Sequence, residues 1–318
     1  MGGIKRVRND RIMRNQENFM QKTWVVWLGA LVCCALWGSA FPCIKLGYRY
    51  FDIASSATAT QILFAGCRFL LAGVMAILIG SVLQRKVLIP GKDAWGKICW
   101  LSVLQTVAQY IFFYVGLAHT SGVKASIIEG VNVFIAILVA SLLFHQEKLT
   151  VRKMAGCVIG FAGVVLVNLT GTGLDGGFAW NGEGFIFLST VAYAFSSVFL
   201  KRFSKTENPV LLSGYQFVVG GAVMIVAGLF MGGSIAVVTP KGIAMLLYLA
   251  FISAVAYSLW GILLKYNPVS KVAVFGFMNP VFGVILSAFL LAESDVLGIM
   301  SVVSLVLVCV GIYIVNKN

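Results

Sequence analysis

The chain has 318 residues, of which 60% are hydrophobic and 11% are charged, and its mean hydropathy is +0.95. Soluble domains are nearer half apolar and a quarter charged, so this composition excludes an ordinary soluble domain. It indicates an all-α integral membrane protein. The net charge of +13 could suggest a nucleic-acid partner, but the placement of the basic residues, described below, predicts none.

The first half of the chain contains a basic segment and five apolar runs. Residues 1–22 are polar and basic without apolar periodicity, and we interpret them as a cytoplasmic arm. A helix needs about 20 apolar residues to cross a bilayer. The five runs that meet this length, within a first repeat predicted at 23–168, are Trp24 to about Lys45, Gln61–Val82, about Trp95–Ala118, Ser121–Phe144 and Met154–Asn168.

A glycine-rich stretch divides the chain, because such a composition is typical of turns and loops. We predict that residues 169–183 form an extracytoplasmic link and that residues 184–318 form a second repeat. The predicted spans of this second repeat are Gly184–Phe203, Pro209–Gly232, Gly242–Lys265, Lys271–Ala292 and Val296–Val315.

Two prolines, Pro42 and Pro280, fall inside predicted spans. Proline removes a backbone donor and its ring clashes with the preceding turn. The sequence therefore predicts a helix break, as a kink or a broken turn, at each of them.

The basic residues lie mostly on one side of the predicted spans. With the N-terminus in the cytoplasm, 19 of the 24 Lys and Arg residues fall on the inner side and four on the outer side, while Arg68 lies within the membrane. This excess follows the positive-inside rule. Both termini are therefore predicted to be cytoplasmic, and anionic lipid headgroups account for the charge without nucleic acid.

The two halves resemble each other. Residues 114–147 align without gaps onto residues 260–293 at an offset of 146, and the next spans end alike, in GVVLVN and GIYIVN. Five spans per repeat is an odd number, so the copies must have opposite topology. The prediction is ten transmembrane helices in two inverted five-helix repeats, an architecture of secondary transporters with a site near the midplane. The identical pairs are Leu117/Leu263, Val123/Val269, Gly130/Gly276, Ser141/Ser287 and Glu147/Glu293.

The fourth span carries Glu129 and Asn132, which share one helix face at a spacing of three. A carboxylate at the bilayer centre costs roughly 2.5–3.5 kcal/mol on insertion scales, so it indicates a functional site. Arg68 has a matching predicted depth and is the candidate counter-ion. Two interpretations stay open: a pair that couples transport to protonation, and a permanent pair that only locks two helices.

Other polar and aromatic side chains within the spans are candidates for a substrate path. Gln105 and Gln109 share a face, and so do Tyr257 and Trp260. A helix–helix hydrogen bond is the alternative for the first pair, and ordinary packing is the alternative for the second. The complete predicted path consists of Trp37, Gln105, Gln109, Asn132, Tyr193, Tyr257, Trp260 and Asn279.

Short motifs add a resemblance to a known family. WGSAFPCIK at Trp37–Lys45 resembles the opening signature of EamA-type members of the drug/metabolite transporter superfamily. Cys67-Arg68-Phe69, HQEKLT at His145–Thr150 and FMNPVFGVILS at Phe277–Ser287 are similar to later elements of that family. The fourth span departs from the family pattern, because Glu129-Gly130-Val131-Asn132 stands where a proline is common.

The resemblance implies ten helices in two repeats and transport of small metabolites or drugs, often outward. We therefore expect a gradient-driven secondary transporter in the cell membrane that binds a small-molecule substrate and contacts lipid. The sequence leaves open whether the protein forms a homodimer. A passive channel or facilitator and, less favoured, a membrane-embedded enzyme are the alternatives. No catalytic cluster, ATP-binding motif or metal-ligand spacing is evident in the sequence, so no enzyme activity, cofactor or metal is predicted.

The distribution of basic residues yields a topology prediction. In a variant without the seven native cysteines, a cysteine at Asp175 should react with a membrane-impermeant maleimide applied to intact cells, and a cysteine at Lys205 should not. The reason is that the positive-inside rule places 169–183 outside. The reverse labelling pattern would overturn the orientation.

Overall fold

A computed structural model describes residues 17–54, 56–120, 122–169, 179–290 and 299–317. Within these ranges the chain is helical, without a β-strand, and forms ten long helical segments that we number α1–α10. Most of the predicted arm and link lies outside the described residues.

The first half comprises α1 to α5. Helices α1, α2 and α5 are uninterrupted α-helices, whereas α3 includes a π-helical stretch at Ser102–Ala108 and α4 is interrupted at Val131. α4 covers residues 122–143 and consists of Gly122–Gly130, Asn132–Leu138 and the π-helical Val139–Leu143. The other bounds are α1 Thr23–Tyr50, α2 Thr58–Leu83, α3 Lys92–Leu117 and α5 Val151–Leu169.

The second half comprises α6 to α10. α6 opens with a π-helical turn at Trp180–Gly184. α9 covers residues 269–290, as Val269–Ala273, a 3-10 segment at Val274–Phe277, and Met278–Leu290. The other bounds are α6 Trp180–Phe203, α7 Pro209–Phe230, α8 Pro240–Tyr266 and α10 Ile299–Asn316.

Six helices of the described chain are long and apolar enough to cross a bilayer: α1, α2, α3, α6, α7 and α8. Shorter apolar helices, 127–143, 269–283 and 302–316, lie within α4, α9 and α10. The chain is therefore an all-helical, multi-pass membrane protein, in agreement with the sequence prediction at this level.

Two of the helices, α7 and α8, begin with a proline. Pro209 and Pro240 stand at the first helical position, where the missing N–H costs nothing. The preceding residues cap the helices: Asn208 Oδ1 accepts from the Val210 amide at 2.9 Å, and Thr239 Oγ1 accepts from the Gly242 amide at 3.0 Å. These caps satisfy amides that would otherwise lack partners at the membrane surface.

The two prolines inside spans behave differently. α1 runs through Pro42 without a broken turn, whereas Pro280 is the third residue of Met278–Leu290, the α-helical part of α9 that follows its 3-10 segment. Each ring lies one turn beyond a glycine, Gly38 or Gly276. A single lost hydrogen bond need not interrupt a helix whose other bonds are kept.

Glycines allow the closest helix crossings. α2 packs along α7, and α5 packs along α10. A Cβ added at Gly221 of α7 would lie 2.4 Å from the Leu70 amide nitrogen, and one at Gly311 of α10 would lie 2.6 Å from the Gly156 carbonyl oxygen. Because hydrocarbon gives helices no hydrophobic reason to associate, such close backbone packing is what holds membrane helices together.

Both ends of the described chain lie at the same end of the bundle. Asn267, after α8, donates to the Met20 carbonyl oxygen at 3.1 Å, and Arg152 donates to the Lys317 carbonyl oxygen at 3.0 Å. Lys271 donates to the Gln21 carbonyl oxygen at 3.3 Å. We call this side the terminal end of the bundle.

Glu147 ties the two halves together at the terminal end. Its carboxylate accepts from Lys153 Nζ at 2.6 Å, from the Ser270 amide at 2.8 Å and from the Ser270 hydroxyl. The Ser270 amide belongs to the first turn of α9, where helix amides lack intrahelical partners. Glu147, between α4 and α5, therefore caps a helix of the opposite half.

Gly221→Ala and Gly311→Ala should each destabilise the bundle, because the added methyl would overlap backbone atoms of the facing helix. Overpacking of this kind costs about 1–3 kcal/mol, measurable as a lower apparent melting temperature in detergent. Gly96→Ala is the matched control, since nothing lies within 4 Å of a Cβ at that helical position. Equal melting temperatures for all three variants would contradict the packing analysis.

Candidate functional site

A cavity of about 140 Å³ lies among helices from both halves of the chain. The helices that contribute to it are α1, α2, α3, α4, α6, α8 and α9. A buried water needs roughly 10–15 Å³ of such volume, so the cavity has room for about ten waters. Its lining consists of Trp37, Ala40, Ile44, Arg68, Gln109, Tyr110, Phe113, Tyr114, Glu129, Gly130, Asn132, Tyr193, Tyr257, Gly276, Asn279 and Pro280.

Most of the residues proposed from sequence lie at this cavity. Six of the eight substrate-path residues line it, together with both members of the predicted ion pair and Pro280. Those six are Trp37, Gln109, Asn132, Tyr193, Tyr257 and Asn279. Their role in transport stays a prediction.

Gln105, Trp260 and Pro42 are absent from the lining. Gln105 is fully buried in the π-helical part of α3, and neither atom of its amide has a hydrogen-bond partner within the described chain. Trp260 is 2% exposed and packs edge-on behind Trp37, with ring centroids 5.0 Å apart. Trp260 thus supports the cavity wall and does not form its surface.

One side of the cavity is formed by Trp37, Tyr110 and Tyr257, which we call the aromatic wall. Trp37 meets Tyr257 edge-on at a centroid distance of 5.1 Å, and the hydroxyls of Tyr257 and Tyr110 are 2.9 Å apart. Tyr110 in turn packs against Phe69 at 4.4 Å. Edge-to-face aromatic contacts are favourable beyond simple area burial, so these contacts stabilise a wall that presents both rings and hydroxyls.

Arg68 is held by α8 and not by Glu129. The Arg68 side chain is 3% exposed, and its Nε donates to Leu249 O at 3.2 Å and to Ser253 Oγ at 3.1 Å. Its Nη2 donates to the same Ser253 hydroxyl at 2.9 Å. All these acceptors are neutral.

Glu129 lines the cavity in the last turn of Gly122–Gly130, directly before the interruption of α4 at Val131. Among the described residues, no hydrogen bond or ion pair reaches its carboxylate. The sequence-based pairing with Arg68 is therefore not formed in this structure. Similar depth alone did not bring the two groups together, because Ser253 and the Leu249 carbonyl occupy the guanidinium.

Several buried polar atoms of the lining lack hydrogen-bond partners in the described part of the chain. They are the Gln109 Oε1, the Asn279 Oδ1 and the Trp37 Nε1 atoms. Unsatisfied polar atoms are expensive inside a membrane protein, and they point here to a surface that binds water or a polar solute.

Sequence reasoning missed part of the lining. Tyr110, Phe113 and Tyr114 of α3 lie beside Gln109 at the cavity. The spacing of Tyr110 and Tyr114 is four, the same as that of Gln105 and Gln109, so helical periodicity alone offered two faces of α3. Choosing between them requires the packing of α3 against its neighbours.

An all-helical membrane protein with a polar and aromatic cavity between its two halves fits the class of membrane transporters. The sequence matches the EamA-like transporter family over residues 23–169 and 180–317. The chain belongs to this family, and with it to the drug/metabolite transporter superfamily, as the sequence motifs indicated.

Relatives carry consistent names. The chain is 25% identical over 287 residues to the uncharacterized transporter YvbV of Bacillus subtilis, covering 89% of this chain and 88% of that protein. It is 27% identical over 303 residues to a probable amino-acid metabolite efflux pump of Salmonella typhimurium, covering 90% and 92%. The protein is a membrane transporter.

A solved crystal structure shares the fold. It superposes with a TM-score of 0.73 at 17% sequence identity, over 91% of this chain and 95% of that chain. At this identity the likeness concerns the fold alone.

The cavity boundary can be checked by thiol accessibility. In a variant without native cysteines, Asn279→Cys should react with a small water-soluble methanethiosulfonate several-fold faster than Gln105→Cys. The reason is that Asn279 lines the cavity and Gln105 is fully buried. Modification rates followed by mass spectrometry give the comparison, and faster reaction at position 105 would contradict the boundary.

Proposed function

We propose that this transporter is a gradient-driven secondary exporter of small metabolites, which works by alternating access around the central cavity. The observation that carries the proposal is the cavity lining. It is contributed by both halves of the chain and combines an aromatic wall, unsatisfied amides and two charged side chains that are not paired with each other. Specific solute sites have this combination of apolar surface and a few placed polar groups.

The proposed architecture is ten transmembrane helices in two inverted five-helix repeats. In this arrangement α1 to α5 correspond in order to α6 to α10. Helix packing supports it, because α2 contacts its counterpart α7 and α5 contacts its counterpart α10. The contact of α1 with α8 is likewise matched by that of α6 with α3. The aligned glycines Gly130 and Gly276 both line the cavity. Equivalent positions of two repeats would meet in this way across a pseudo-two-fold axis at the site.

Alternating access requires contacts that close one side at a time. At the terminal end, Glu147 of the first half accepts hydrogen bonds from the amide and the hydroxyl of Ser270 in the second half. These contacts support a state closed at the terminal end. Opening toward that side would require them to break.

The orientation we propose has both termini in the cytoplasm of a cell whose plasma membrane contains the protein. The excess of basic residues on one side supports this orientation. The outward direction is supported by the relative named as an efflux pump, and the terminal end would then be the side at which the solute enters.

For energy coupling we propose the proton, with Glu129 as the residue that takes it up and releases it. Its carboxylate lines the cavity without a cationic partner in the described chain. A group that faces water in one conformation and a desolvated site in the other changes its ionisation between them. A proton relay of this kind is a common role of carboxylates within the membrane.

Reconstituted vesicles test the function. A screen of labelled small metabolites should find a solute that the protein accumulates against its gradient only when a proton gradient is imposed. Solute movement that only equilibrates, with or without the gradient, would instead establish a passive facilitator.

Glu129→Gln should abolish the pH dependence of concentrative transport while leaving downhill exchange of the solute at a comparable rate. The reason is that glutamine keeps the shape and hydrogen bonding of glutamate but cannot titrate. Glu183→Gln is the control, because Glu183 bonds Thr120 at 2.7 Å away from the cavity. Unchanged pH dependence in a folded Glu129→Gln variant would remove Glu129 from the coupling.

A further inference from the structure

The starting observation is a buried cation without a counter-ion. Arg68 is 3% exposed, and its three hydrogen bonds go to Leu249 O and to Ser253 Oγ, which are both neutral. No carboxylate of the described residues lies within 4.0 Å of the guanidinium. A desolvated charge is unfavourable unless an opposite charge compensates for it.

The other groups around Arg68 do not supply that charge. Among the described residues, those within electrostatic range of the guanidinium are the phenols of Tyr48, Tyr110, Tyr114 and Tyr257 and the thiol of Cys43. Phenols and thiols are neutral near pH 7. They can donate hydrogen bonds to an anion, but they leave the Arg68 charge uncompensated.

The geometry of Arg68 leaves part of its fork available. Nε and one N–H of Nη2 are used, whereas Nη1 has no acceptor among the described residues. Arg68 lines the cavity, and guanidinium is suited to a carboxylate because the two planar groups match in two parallel hydrogen bonds. Ser253 and Leu249 fix the side chain before a ligand arrives, which reduces the entropy lost on binding.

From these observations we infer that Arg68 is an anion subsite, which binds a carboxylate of the transported solute while the aromatic wall of Trp37, Tyr110 and Tyr257 contacts its apolar part. The inference rests on the proposed function and adds a substrate class to it: small organic carboxylates of about ten non-hydrogen atoms, by the volume estimate above. Glu129 remains free for the proton, since the solute and not Glu129 neutralises Arg68.

Three planar molecules of nearly equal shape test the sign of the charge that the cavity prefers. Benzoate, benzamide and benzamidine carry a negative, neutral and positive group on the same ring. Calorimetric titration of the purified full chain in detergent at pH 7 should show benzoate binding about tenfold or more tightly than benzamide, because hydrogen bonds to charged groups are the stronger ones. Benzamidine should bind least.

Variants assign the preference to Arg68. Arg68→Gln should bring benzoate and benzamide to similar affinities, and Arg68→Lys should keep part of the difference because it keeps the charge but loses the planar fork. Arg85→Gln, at an exposed arginine outside the cavity, should leave the ratio unchanged. A purely structural role of Arg68 would alter stability without changing the benzoate-to-benzamide ratio.

Titration of the three ligands into the wild-type protein tests the anion subsite even if Arg68→Gln fails to fold. Equal affinities for benzoate and benzamide would overturn the anion subsite. Tighter binding of benzamidine would also overturn it and would assign the charge preference to Glu129. That result combined with concentrative transport in vesicles would leave the proposed function intact. Absence of any gradient-driven transport would overturn the proposed function whatever the binding series shows.

Discussion

The close approach of glycine-bearing helices is the constraint on which this structure depends. In hydrocarbon, helices gain nothing from burying apolar surface against each other, so van der Waals contact between backbones must hold the bundle together. At the α2–α7 crossing, Gly66 and Gly221 leave no room for a Cβ on either helix. This crossing also fixes the position of Arg68, two residues after Gly66.

From that position Arg68 reaches α8. The guanidinium bonds the Leu249 carbonyl oxygen and the Ser253 hydroxyl, a hydroxyl that itself donates to the Leu249 carbonyl oxygen at 3.1 Å. A helix carbonyl one turn before Ser253 thus accepts from both groups. These hydrogen bonds orient the guanidinium of Arg68 but do not neutralise its charge. The uncompensated charge is the physical basis of the proposed solute site.

Helix irregularity is concentrated around the cavity. α3 changes to π-helix at Ser102–Ala108 just before Gln109, α4 is interrupted at Val131 between Glu129 and Asn132, and α9 tightens to a 3-10 segment before Asn279. π-Helical turns are frequent at functional sites. Irregular backbone within the membrane is tolerated where protein or a polar cavity surrounds it. The polar side chains that line the cavity next to these changes in helix type are Gln109, Glu129, Asn132 and Asn279.

Composition and apolar run length sufficed to predict a helical membrane protein, because a bilayer admits few other solutions to the pairing of backbone groups. The order of the motifs identified the family. Polar and aromatic residues within the spans indicated Trp37, Gln109, Glu129 and Tyr257, which line the cavity. The sequence could not show that Arg68 bonds Ser253, since depth along a helix says nothing about which neighbour a side chain meets. Gln105 lies outside the cavity lining for a related reason. The rotation of α3 about its axis is set by helix packing and by the π-helical stretch, and both of these were decided only by the tertiary structure.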